Sequence, residues 1–364
     1  QVSMNVIRQS GYLLSVLLLC IGDRAESQVP WMLDKYAAPV RQLVGKPLES
    51  GELFFTPTYV VSRDSVLLVL DRGNEQYFSE VSKRTGRVLT RFGVKGDGPG
   101  EFRGPSSMHV DISDPNTLWV FDLNLRRLTS ATLGAIPLRK GFPRFTSTTI
   151  NLPLFNILPL SNTAFLATTL SQDGERFIRI RADGAIEGRV GRVPPPPPNV
   201  PMTVWQNAQR VHTARSPDGS KFVAASRYAD RIEIFNASGQ RLATCHRHFG
   251  FEPTFSDEAF VVGAGKNGPI MGAGPDSRWA YVSVAASNRR IYAIFSDKTS
   301  RGFRNSQSMG HVLHVFDWTG RSVGVFTLDN TVISIAVEPD DSQLFALRHD
   351  PEPAIVAYSL RGIR

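Results

Sequence analysis

Arginine supplies most of the chemistry this chain offers. Arg72, Arg126, Arg227, Arg231 and Arg348 each fall at or just beyond the end of a short apolar run, and Lys298, Arg301 and Arg304 crowd a single stretch, Lys298-Thr-Ser-Arg-Gly-Phe-Arg304. A guanidinium is planar, permanently charged and presents a fixed fork of N–H donors. A ring of them therefore suits carboxylate, phosphate or sulfate groups, or an acidic protein surface. Ungathered, the same arginines are ordinary solvated charge, because the chain carries 41 Lys and Arg against 33 Asp and Glu, a net charge of +8. What matters is which elements bring them together.

Those elements read as strands. Short apolar runs end at Leu70-Asp71, Phe121-Asp122, Thr169-Leu170, Ser226-Arg227, Ser296-Asp297 and Arg348-His349, and each is followed by a glycine, Gly86, Gly134, Gly184, Gly239, Gly320 or Gly362. By subtraction the glycines are 48, 50, 55, 81 and 42 residues apart, the period of a four-stranded propeller blade with one insertion. Glycine belongs there because a tight hairpin turn requires positive φ. The expected fold is all-β, a six-bladed β-propeller. Arg364 follows Gly362 so closely that the last blade lacks an outer strand, and Val40 to Leu48 is the segment expected to complete it and close the ring. The predicted organisation is a signal peptide over 1–27, an N-terminal segment with the closing strand over 28–50, and the propeller over 51–364.

Strand alternation sorts the loops, since the connections after the second and fourth strands of each blade emerge on one face. That face collects the arginines, the segment from Lys298 to Gly310, a glycine-rich crossing over 93–104 and a connection over 191–204 containing Pro194 to Pro198. Binding residues concentrate on loops held by a rigid scaffold. The expected ligand contacts are accordingly Arg72, Arg126, Arg227, Arg231, Arg301, Arg304 and Arg348. The glycine-rich crossing leads into Met108-His-Val-Asp-Ile112, a strand, so it lacks the helix that a phosphate cradle requires. The proline run reads as a stiff spacer.

Other chemistry is sparse. His109, Asp111, His212 and Ser334 lie on inner strands, too few carboxylates for a hard-cation cage. In Cys245-His-Arg-His248 consecutive side chains alternate faces, which splits the group as a transition-metal cluster. No catalytic residue, metal or cofactor is assigned. The basic balance permits nucleic acid, but no aromatic stacking register interleaves with the arginines, and nucleic acid is not an expected partner.

Arg8 precedes an apolar run of about ten residues, Tyr12 to Ile21, followed by Ala25-Glu-Ser27. That run is half the roughly twenty residues that span a bilayer and reads as a secretory signal, placing the protein in the periplasm or outside the cell, with outer-membrane association an option. Leu19 stands where a lipidation site carries a small residue, so membrane attachment is expected only if Cys20 is lipidated. With Cys20 removed, Cys245 has no partner for a disulfide and reads as a core residue.

Two stretches carry a family resemblance. Gly96-x-Gly98-Pro-Gly-Glu-Phe102 resembles the inter-blade signature of NHL-type repeats, and His311-Val-Leu-His-Val-Phe-Asp-Trp-Thr-Gly320 with Ile333-Ser-Ile-Ala-Val337 is similar to bacterial TolB-like six-bladed propellers. The resemblance implies an exported bacterial propeller, a group with no common enzymatic activity. The expected function is a binding module whose long-loop face recognises a small anionic ligand, a polysaccharide or an acidic protein or envelope surface. The competing reading is a metal-dependent lactonase- or lyase-like hydrolase built on the same ring.

Overall fold

The computed structural model describes residues 28–31, 41–48, 54–136, 143–152, 154–169, 174–198, 200–247, 250–253, 278–296, 298–299 and 310–363. The expected signal peptide with Cys20, and both Arg301 and Arg304, lie outside these residues. Three short strands come first: β1 (Gln28–Trp31), β2 (Arg41–Leu43) and β3 (Lys46–Pro47). Four antiparallel sheets then follow in chain order. The first is β4 (Pro57–Arg63), β5 (Val66–Asp71), β6 (Gln76–Ser82) and β7 (Val88–Lys95), with β8 (Glu101–Phe102) parallel on its edge. The second is β9 (Pro105–Val110), β10 (Thr117–Asp122), β11 (Arg127–Thr132) and β12 (Arg144–Thr149), and the third is β13 (Leu154–Pro159), β14 (Ala164–Thr169), β15 (Glu175–Arg181) and β16 (Ile186–Arg192).

A seven-residue helix, α1 (Met202–Ala208), leads into the fourth sheet of β17 (Val211–Arg215), β18 (Lys221–Ser226), β19 (Arg231–Asn236) and β20 (Arg241–Arg247), whose edge pairs in parallel with β1. The last sheet holds β21 (Tyr281–Ala286), β22 (Arg290–Phe295), β23 (Gly310–Asp317), β24 (Ser322–Val337), β25 (Gln343–Arg348) and β26 (Ala354–Ser359). β24 pairs with β23 mainly through residues 322–327 and with β25 through residues 332–337, so its two halves serve two consecutive four-stranded stretches.

The innermost strands meet in sequence. β4 contacts β9, β9 contacts β13, β13 contacts β17, β17 contacts β21, β21 contacts β24, and β24 returns to β4. A channel runs down the middle of that circuit, and the fold is an all-β propeller. The middle strands of the sheets are largely apolar on both faces because both are covered by neighbours, whereas the outer strands β12 and β16 are mostly exposed. All six residues of β5 are buried, and the apolar clusters straddle adjacent sheets, as where Leu68, Leu70 and Phe78 pack on Met108, Leu118 and Val120. Phe102 seals this seam from the glycine-rich crossing, fully buried, its ring edge-on to Phe78 at 5.1 Å and to Phe145 at 6.3 Å.

The hairpin glycines behave as their spacing suggests. All six have positive φ, from 72° at Gly86 to 97° at Gly362. Gly320 is doubly constrained, since at φ +87° an added Cβ would also sit 2.8 Å from Cys245 Sγ. Cys245 is buried, its thiol donates to Gly320 O at 3.2 Å, and burial, helped by Asp317, pushes its pKa up to about 12.

The N-terminal strands follow the outer edges. β2 lies parallel to β24 at Phe326–Leu328, and β3 pairs Lys46 with Ala357 and Pro47 with Val356 on β26. Leu48 N–H extends that ladder to Ile355 O at 2.8 Å. Two features differ from the sequence reading. The stretch between β20 and β21 is 33 residues long by subtraction and exceeds the 14 between β22 and β23 in which the segment from Lys298 begins. The proline run is followed by α1 rather than plain loop, because Trp205 Nε1 donates to Pro194 O at 2.5 Å and Gln206 Nε2 to Glu175 O at 2.6 Å, pinning a helix too short to stand alone.

Candidate functional site at the channel mouth

Strand direction gives the channel two unlike ends. The chain enters each innermost strand at the upper end, where the long connections gather, and leaves at the lower end through tight turns. A cavity of about 360 Å³ opens at the upper end and one of about 510 Å³ at the lower. Tyr59, Thr213, Ser283 and Val284 line both and mark the waist between them.

The upper cavity is lined by Arg72, Arg210, Arg227, His212 and His349, with no Asp or Glu among the described residues of its wall. Sheet register explains the central pair. Val211 lies opposite Ser226 in β17–β18, and the next rung is Arg227 N–H donating to Arg210 O at 2.9 Å. From this shared rung the side chains part. Arg210 lays its guanidinium carbon 3.8 Å from the centre of the Phe155 ring, while Arg227 places its own 4.0 Å from the Trp279 ring and 5.6 Å from Tyr228. Such stacking fixes the guanidinium plane by its face and leaves the N–H edges for hydrogen bonds.

Neither Arg210 nor Arg227 has a carboxylate partner among the described residues, and Arg227 Nε is buried without a hydrogen-bond acceptor. Burial lowers the pKa of both guanidinium groups, with the repulsion of Arg227 adding to the effect on Arg210. His212, two residues beyond Arg210 on the same face of β17, is brought down to about 3 by burial and by the two arginines, which keeps its ring neutral at ordinary pH. His349 Nε2 donates to Pro57 O at 2.7 Å, and Arg72 donates to Pro105 O at 2.7 Å. The wall is thus cationic, aromatic and able to donate several hydrogen bonds to an anion.

Of the seven arginines expected as ligand contacts, the structure brings Arg72 and Arg227 to this mouth. Arg126 is exposed in the turn after β10. Arg231 is drawn into a mostly buried network in which Glu233 bridges Arg176 and Arg241 and Arg231 itself pairs with Glu252 at 3.5 Å. Arg348 donates to Asn330 Oδ1 at 2.9 Å. Arg210, Phe155 and Trp279 are the residues that sequence reasoning missed. The available signal for Arg210 was its position directly before an inner strand, opposite Arg227 in a hairpin whose register the tight turn sets.

The lower mouth carries both signs of charge. Arg63 pairs with Glu80 at 3.1 Å, both buried, and donates to Pro115 O, Asn116 Oδ1 and Gly134 O. Asp111 accepts from Trp119 Nε1 at 2.7 Å and from the backbone of Ser113 and Asp114. Glu338 pairs with Lys83 at 2.6 Å. His109 sits here, its pKa brought down to about 3 by burial and by Arg215. Among the described residues no three His, Cys, Asp or Glu side chains gather as a metal-holding group.

The model of the TolB-like 6-blade propeller-like family matches residues 40–340. Among solved structures, a Bacteroides fragilis protein assigned to export is similar at 12% identity with a TM-score of 0.58, covering 91% of this chain and 98% of its own. The structure of U3-55K matches at 11% identity and a TM-score of 0.50, with 87% and 98% covered, and the RRP9 WD40 repeats match at 10% and 0.50, with 88% and 100% covered. At such identities the likeness is one of fold alone. No curated protein gives a significant match. With four fifths of its length matched by that family model and its sheets arranged around one channel, the chain belongs to the TolB-like 6-blade propeller-like family.

Proposed function

We propose that this protein is a propeller interaction module that recognises an anionic ligand at the upper mouth of its channel. One observation carries the reading: among the described residues, the wall of that mouth holds three arginines and two histidines and no carboxylate. A protein that needed these charges only for its fold would pair them, as it pairs Arg63 with Glu80 and Lys83 with Glu338 at the lower mouth. In this reading the ring has six blades, the two halves of β24 serving two of them, with β3 closing the last, and the crossing at residues 93–102 serves as an NHL-like bridge between blades. The signal-like N-terminus supports export to the periplasm or cell exterior, where partners of this charge include small anions, polysaccharides and acidic proteins.

Thermal melting with a panel of anions at fixed ionic strength tests the reading, since a ligand that binds only the native state raises the melting temperature by mass action. At least one of acetate, citrate, galacturonate, sulfate and phosphate is expected to raise it in the parent and not in a variant with Arg72, Arg210 and Arg227 all changed to Gln. A variant that responds like the parent to every anion contradicts the assignment.

A further inference from the structure

We infer that the upper cavity accepts a phosphate monoester, with the phosphoryl oxygens held between Arg210 and Arg227; this rests on the reading of that mouth as an anion site. The two arginines occupy one rung of the β17–β18 pair, joined by the 2.9 Å backbone bond between them. Like charges directly opposite one another destabilise a sheet, and here no carboxylate among the described residues offsets them. A single guest with two negative charges relieves both at once.

The shape of the site favours a tetrahedral group over a planar one. Arg210 leans onto Phe155 at the start of β13, and Arg227 leans the other way onto Trp279 ahead of β21, so the two guanidinium groups line one cavity from two different walls. One carboxylate has a single charge and two oxygens in one plane. A phosphate monoester carries a charge of about −1.5 to −2 near neutral pH and three acceptor oxygens, enough for both forks and for the Arg227 Nε–H that lacks an acceptor. His212 lines the same cavity. At about 30 Å³ per water-sized group, a cavity of about 360 Å³ holds roughly a dozen non-hydrogen atoms, the size of a glycerol or small sugar phosphate and too small for a folded partner.

Isothermal titration of the full chain with inorganic phosphate, glycerol 3-phosphate and acetate at constant ionic strength decides the matter. Glycerol 3-phosphate is expected to bind one to one, at least tenfold tighter than acetate. Arg210→Gln and Arg227→Gln are each expected to lose at least tenfold with melting temperature unchanged or raised. Acetate binding as tightly as glycerol 3-phosphate overturns the phosphate assignment and leaves the anion reading standing, whereas failure of every anion, including the wider panel, overturns both. The phosphorus-31 shift of bound glycerol 3-phosphate, followed against pH, gives a readout independent of any variant. Between two guanidinium groups the second phosphate proton is expected to leave at lower pH than in free ligand, and an unmoved titration contradicts the placement.

Discussion

The two ends of the channel are built from the same inner strands, yet they treat charge in opposite ways. At the lower mouth Arg63 meets Glu80, Lys83 meets Glu338, and Asp111 is satisfied by Trp119 and two backbone amides. At the upper mouth Arg210 and Arg227 rest on aromatic rings with no carboxylate beside them among the described residues. The difference separates charge paired within the fold from charge that has no carboxylate beside it among the described residues. A buried ion pair is costly to half-remove because the survivor stays desolvated. An aromatic-stacked arginine without a carboxylate partner leaves no such survivor when it is removed.

That contrast breaks most visibly at Arg63. Arg63→Ala removes the ion pair to Glu80 together with three hydrogen bonds to the neighbouring sheet, and denaturant unfolding is expected to show a loss of about 3–5 kcal/mol. A loss below about 1 kcal/mol would mean that the lower end is no more structural than a surface pair.

Acid sharpens the comparison, because each end holds one histidine whose pKa is brought down to about 3, His109 facing Arg215 and the Ile157 carbonyl, His212 facing Arg210 and Arg227. The unfolded chain binds a proton at each near pH 6.5 while the folded chain resists until about 3. Their contribution is therefore complete above that upper value and lost as pH falls through the interval. Each histidine is expected to cost on the order of 1 kcal/mol per pH unit within it. His109→Gln and His212→Gln should each flatten the stability profile, and only the His212 change should alter the pH dependence of anion binding. Equal effects of both on binding would erase the distinction between the ends.

The smallest effect is expected at Arg227. Arg227→Gln removes one of two opposed like charges, and unfolding should show a change within about 1 kcal/mol, neutral or stabilising. A loss as large as that at Arg63 would place Arg227 among the structural charges.

How much of this was legible in the chain depends on how local each signal is. The hairpin glycines were legible because positive φ at a tight turn is a local demand that few other residues meet. Phe102 could be read as a seam residue because its glycine-rich approach leaves nothing else large to pack there. Arg210 was not read as a site residue despite its position directly before an inner strand, since the connection over 191–204 gave no sign that α1 would carry the chain from the proline run to the channel wall. Nor was the fate of Arg231, whose removal from the ligand face depends on Glu233 in its own strand and Arg176 on a neighbouring sheet. The parallel additions of β1 and β2 also leave no local pattern, because short edge strands take their register from the sheet they join.

The most direct measurement is a crystal soaked in selenate or tungstate, with the anomalous signal mapped along the channel. One strong site is expected between Arg210 and Arg227 at the upper mouth and none at the lower, where Arg63 and Lys83 are already paired with Glu80 and Glu338. Signal at the lower mouth, or an upper mouth left empty at millimolar anion, would contradict the claim that unpaired charge marks the binding end.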